Sequence, residues 1–183
     1  VTGDKLDGSL AVKATGGDGA LNYLMTGAPS GVSIEAVTGV ISGIIATDAD
    51  LLSPYNVSIT VDDSDEVSTD AVTTTFNWTV TSNQLPSVAI TIPIENATFI
   101  TPVDIKIDAT ASDTDGTVAK VEFFQGTTKL GEDLDGSNGW SFAWNNVPPS
   151  TYSLTAIATD DKGTATTSAA VNITVLNPPS PVI

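Results

Sequence analysis

The sequence predicts an all-β chain of two sandwiches in tandem, and three observations carry that prediction. Apolar and polar residues alternate with period two along most of the chain, as strands with one buried face require. Turn-forming residues recur at the short spacing of a sandwich, and helical periodicity is absent nearly everywhere. A Pro-containing joint at residues 83–86 divides the 183 residues into halves of ordinary domain size.

In the first half, Tyr55, Val57, Ile59 and Val61 alternate with Asn56, Ser58 and Thr60. Phe76, Trp78 and Val80 alternate with Asn77 and Thr79. Both runs read as long strands with one buried face. The second half is more regular. Val103, Ile105, Ile107, Ala109 and Ala111 point one way, and Asp104, Lys106, Asp108 and Thr110 the other. Ala119, Val121 and Phe123 follow, then Trp140, Phe142 and Trp144, then Tyr152, Leu154, Ala156 and Ala158, and finally Val171, Ile173 and Val175. With strands at 88–92 and 128–131, about seven strands fit this half, the pattern of an immunoglobulin-like Greek-key sandwich. The expected layout is a sandwich over residues 1–82, a linker at 83–86, a second sandwich over 87–176, and a linker to a following module at 177–183. Asn177, Pro178 and Pro179 repeat the style of the joint at Asn83 and Pro86, so the chain reads as a piece of a longer array.

Composition excludes several classes of function. Neither Cys nor His occurs, which removes disulfides, thiolate nucleophiles, the commonest general base and the commonest transition-metal ligand. All six basic residues are Lys, so bidentate guanidinium clamps are absent. The net charge of −16 is shared by both halves and repels nucleic acid and anionic lipid. No apolar run reaches the ~20 residues of a membrane-spanning helix. Abundant Thr and Ser with scarce Lys point to a secreted or cell-surface bacterial protein. Catalysis has no support: paired carboxylates need a cleft that short-looped sandwiches rarely build.

The carboxylates cluster in loops. Asp113 and Asp115 stand in Asp-Thr-Asp-Gly between two strands of the second half, and Asp160 and Asp161 stand between its last two. In an immunoglobulin-like topology those loops share one end, so four carboxylates converge. Hard oxygen ligands in that number suit Ca2+, which takes six to eight oxygens at roughly 2.3–2.6 Å. An EF-hand is excluded, because Phe124 stands where its bidentate Glu belongs. Asp62, Asp63 and Asp65 are read as one loop of the first half, with Asp18 at the same end. Asp48 and Asp50 precede the Tyr55 strand at the opposite end. The competing reading applies to all of them: Asp favours turns because it bonds its own backbone. Trp78, Trp140, Phe142 and Trp144 lie in strand phase and read as core, and Tyr152 as a tyrosine corner. Phe124 and Tyr23 are the candidates for stacking on a sugar.

Two resemblances add to this reading. Gly27-Ala-Pro-Ser-Gly31-Val-Ser-Ile34 with Thr38-Gly-Val-Ile-Ser-Gly43 resembles cadherin-like and dystroglycan-type modules, including putative Ig domains of bacterial surface proteins, over about residues 8–82. Asp113–Val118, Lys120–Phe124, Trp144–Pro148, Thr151–Ala156 and Ala158–Gly163 resemble a bacterial Ig-like domain of secreted polysaccharide-degrading enzymes and adhesins, over residues 87–175. The resemblances imply non-catalytic spacer or adhesion modules whose partners are neighbouring domains of the same polypeptide. The alternative is a carbohydrate-binding pair, with a polysaccharide or another surface protein as partner. The cadherin likeness also implies calcium near the joint: Asp48 and Asp50 match the acidic pair before the penultimate strand, and Asp113 and Asp115 the Asp-x-Asp pair of the next module. The linker lacks the cadherin acidic residues.

Overall fold

The computed structural model describes residues 1–16, 19–63 and 71–180. The chain divides into two compact units, Val1–Asn83 and Gln84–Ile183. Both are all-β, as the alternation predicts.

Among its described residues the first unit has six strands: β1 (Lys5–Ala11), β2 (Leu21–Thr26), β3 (Val32–Ile34), β4 (Val40–Ile44), β5 (Tyr55–Asp63) and β6 (Val72–Trp78). They form two three-stranded antiparallel sheets, ordered β1-β4-β3 and β2-β5-β6. The inward phase of β5 supplies Val57 and Ile59, which pack on Ile41 of β4. A second small cluster joins Ile45, Ala49 and Val80, with Trp78 and Tyr55 against it. The glycines of the family-like motif act here. Gly31 and Gly43 have φ of +86° and +129°, and a β-carbon on either would collide with the backbone beside the other strand. That close approach lets β3 lie against β4.

The second unit has nine strands: β7 (Ser87–Ile92), β8 (Ala97–Ile100), β9 (Ile105–Ser112), β10 (Val118–Gln125), β11 (Thr128–Asp133), β12 (Trp140–Trp144), β13 (Ser150–Asp160), β14 (Ala165–Thr167) and β15 (Val171–Leu176). The larger sheet runs β11-β10-β13-β15-β8, with β14 also on β13; the smaller runs β12-β9-β7. β8 and β14 are added to the seven strands expected, which are all present. Between Ile92 and Ala97 the chain leaves β9 and joins β15 in parallel. Pro93 sits at that switch and has no N–H to continue the first ladder. Ser168 stands between β14 and β15: its hydroxyl, together with its own backbone N–H, bonds the backbone of Ala156.

Phe123 is fully buried at the centre of this core, with Ile107, Val121, Leu154 and Ala156 around it. Phe142 stacks on Phe123 at 6.2 Å. Trp140, Phe142 and Trp144 pack on the core from β12, as their strand phase predicts. Trp144 meets Tyr152 edge-on at 4.8 Å, and the Tyr152 hydroxyl donates to the Pro148 carbonyl at 2.8 Å. This is the expected tyrosine corner.

Candidate functional site

The β9–β10 loop and the β13–β14 turn meet at one end of the second unit. The Asp161 N–H donates to the Thr117 carbonyl at 2.9 Å, and the Thr117 N–H donates back to Asp161 Oδ1 at 3.2 Å. Lys162 Nζ lies 2.9 Å from Asp161 Oδ2. The Lys162 hydrogen bond, then the Thr117 amide, holds the Asp161 carboxyl below its ordinary pKa.

The four acids of this end have different fates. Asp160 is 2% exposed. Its Oδ1 accepts from the Lys162 and Thr164 amides at 3.0 and 2.8 Å, and its Oδ2 accepts from the Thr164 hydroxyl. This side chain closes the turn with both of its oxygens. Both oxygens of Asp115 lie 3.2 Å from the Gln84 amide, tying the start of the unit to the loop. Asp113 is the exception. Both its oxygens are inaccessible to solvent and neither has a hydrogen-bond partner.

Gly116 stands between Asp113 and Asp161. A β-carbon there would lie 2.7 Å from Asp113 Oδ2 and would collide with Asp161 Oδ1. The two carboxylates therefore crowd the same hydrogen-only face. The expected convergence of four carboxylates is reduced to this facing pair. Among the described residues, no three acidic side chains stand close enough together to hold a metal ion. Asp113 also lines a shallow cleft of about 460 Å³ with Thr117, Leu134, Asp135 and Trp140.

In the first unit, β5 runs through Asp63, so Asp62 and Asp63 lie in a strand and not in the expected loop. Adjacent strand residues point to opposite faces. Asp63 is buried and Asp62 partly exposed. Asp65 and Asp18 lie outside the described residues. Asp48 and Asp50 bracket the start of a short 3₁₀ turn, Ala49–Leu52, and Asp48 caps it without a side-chain hydrogen bond. The stacking candidates also change. Tyr23 is buried on the inner face of β2, and Phe124 is half-buried on the outer face of β10.

Sequence reasoning missed the two devices that organise this end: Thr164 as the partner of Asp160, and the missing side chain of Gly116. The Asp-Gly pair at Asp115 and Gly116 was the available signal, but it also marks an ordinary turn.

Residues 86–156 match the family model described as a bacterial Ig domain. No curated protein sequence matches the chain. Among solved structures, the chain is similar to the fibronectin(III)-like modules of Clostridium thermocellum CbhA, with 27% identity, coverage of 49% of this chain and 96% of that one, and a TM-score of 0.46. It is similar to the PKD1 domain of Vibrio anguillarum Epp at 18% identity, covering 53% of this chain and all of that one (100%), with a TM-score of 0.40. It is similar to human protocadherin-24 EC1-2 at 17% identity, covering 98% and 91%, with a TM-score of 0.39. No helix among the described residues is long and apolar enough to cross a membrane.

Proposed function

We propose that the chain is a pair of non-catalytic extracellular spacer or adhesion modules of a secreted or cell-surface bacterial protein, and that a calcium ion at the Asp113 end stiffens the second unit. The observation that carries the calcium reading is the Asp113 carboxylate, shielded from water and without a partner. An ionised carboxylate in that state costs several kcal/mol unless a cation neutralises it. Asp113 would hold the ion with both oxygens, and Asp161 would supply one across Gly116. Backbone carbonyls and water would complete the set that calcium needs. Asp115 would join only by releasing the Gln84 amide. The ion would tie the β9–β10 loop to the β13–β14 turn by charge, where hydrogen bonds between Asp161 and Thr117 already do so.

Isothermal titration with calcium tests this. The expected result is one ion per chain, with heat lost in Asp113→Asn and retained in Asp62→Asn. Equal binding by Asp113→Asn, or no heat from the parent chain, rejects the ion. Sedimentation with insoluble cellulose, chitin and xylan tests the spacer reading separately. A spacer stays in the supernatant, whereas retention on a polysaccharide would favour the carbohydrate-binding alternative.

A further inference from the structure

Lys162 is held where a lysine seldom sits. Its side chain is 10% exposed, against 34% to 66% for three other ion-paired lysines, Lys106, Lys120 and Lys129. A lysine is almost never buried this far without a partner, because its ammonium gives up hydration. One partner is Asp161, whose Oδ2 lies 2.9 Å from Lys162 Nζ. The turn also fixes the backbone of this residue. The Lys162 N–H donates to Asp160 Oδ1 at 3.0 Å, and the Gly163 N–H donates to the Asp160 carbonyl at 3.2 Å. Side chain and main chain of Lys162 are both fixed parts of the turn.

Asp161 divides its two oxygens between different tasks. Oδ2 meets the ammonium, while Oδ1 accepts the Thr117 N–H and lies beside Gly116, where Asp113 Oδ2 also lies. One carboxylate thus stands between Lys162 and the shielded oxygens of Asp113. The ammonium weakens the negative potential of this end at the place where a second cation would enter. Two carboxylates and one ammonium leave one formal negative charge; without the ammonium, two remain. Cation affinity at oxygen sites follows that charge count.

We propose, building on the calcium reading above, that Lys162 sets the calcium affinity of the Asp113–Asp161 pair: its ammonium is the counter-ion of the calcium-free turn and opposes entry of the divalent ion. Both effects have one origin. Without calcium, the ammonium offsets repulsion between the carboxylates and keeps the β13–β14 turn closed. With calcium, the same charge repels the ion from the far side of Asp161 and weakens its binding. Removing the ammonium therefore lowers calcium-free stability while raising calcium affinity. A lysine that served packing alone would move only the first.

Calcium titration calorimetry of the whole chain tests this with the parent, Lys162→Gln, Lys162→Arg and Lys129→Gln. Lys162→Gln is expected to bind calcium about tenfold more tightly than the parent. Lys162→Arg keeps the charge and should bind as the parent does. Lys129→Gln removes the same unit of charge from β11, where Lys129 serves Glu122 and Glu132, and should also bind as the parent does. Thermal melts supply the second readout: Lys162→Gln should melt below the parent in EDTA and recover the difference in calcium. Heat from Lys162→Gln with none from the parent would support the proposal as well, with the ammonium keeping the ion out. Calcium bound equally by the parent and Lys162→Gln would overturn the role of the lysine and leave the ion in place. Equal gains in Lys162→Gln and Lys129→Gln would overturn it too, by reducing the effect to net charge. No heat from either the parent or Lys162→Gln would reject the ion and this role together.

Discussion

Both units use the same local device at the start of their longest strand. The Tyr55 hydroxyl donates to the Ala49 carbonyl at 2.8 Å, and the Tyr152 hydroxyl to that of Pro148 at the same distance. Each fixes the corner where the chain enters the sandwich. Beyond that corner the units diverge. The second closes its larger sheet with β8 and buries one continuous core around Phe123. Among its described residues the first has two small clusters, and β6 pairs with β5. The comparison separates two contributions to a sandwich: corner geometry, which short sequences supply, and a continuous core, which several strands must supply together. Among the described residues the second unit buries more apolar side chains in its core than the first, so their stabilities should differ as well.

Core truncation gives the largest expected effect. Phe123→Ala should destabilise the second unit by about 3–5 kcal/mol, and Ile59→Ala the first by about 2–5 kcal/mol. In calorimetry each should move one transition only, with the first unit melting at the lower temperature. A single transition shifted by both variants would break the comparison by making the units one cooperative block. Next in size are the tyrosine corners. Removing either hydroxyl, in Tyr55→Phe or Tyr152→Phe, should cost about 1 kcal/mol, again confined to its own unit. Clearly unequal losses would show that the shared device carries different loads.

Acid should have the smallest effect. Hydrogen bonds from Lys129, then Lys120, hold the Glu122 carboxyl below its ordinary range on the sheet of the second unit. A depressed folded pKa adds stability above the unfolded value of about 4.3, and that stability is lost as pH falls through the folded value. The melting temperature of the second unit should therefore decline modestly below about pH 5. Glu122→Gln should flatten that part of the curve, and an unchanged slope would remove the ion pairs from the account.

Most of the fold is legible in the alternation, because period two has one physical meaning along stretches such as Ile105, Ile107 and Ala109. The end of β7 before Pro93 is legible, but β8 beyond it is not, because Ala97–Ile100 is too short to show a period. Tyr23 shares the inward phase of Met25, yet one short strand could not decide which face was covered. The candidate site was half legible. Loop position brought Asp113 and Asp161 together, but ligand and turn-former are the same residue type. Nothing in Asp160-Asp161 tells that Thr164 consumes the first carboxylate and leaves the second facing Asp113. Asp62 and Asp63 misled for a related reason: an acidic run looks like a loop until cross-strand partners such as Leu21 and Asn22 extend the ladder through it.

The most direct test of the central claim is calorimetry of the parent chain and Asp113→Asn, in EDTA and in millimolar calcium with magnesium as control. A ligand that binds only the folded state adds about 2.7 kcal/mol at a hundred times its dissociation constant. The account requires calcium to raise the transition of the second unit by several degrees, to leave the first in place, and to lose its effect in Asp113→Asn. If neither transition moves, or if Asp113→Asn responds as the parent does, calcium does not bind this end, and the acids there serve as turn formers alone.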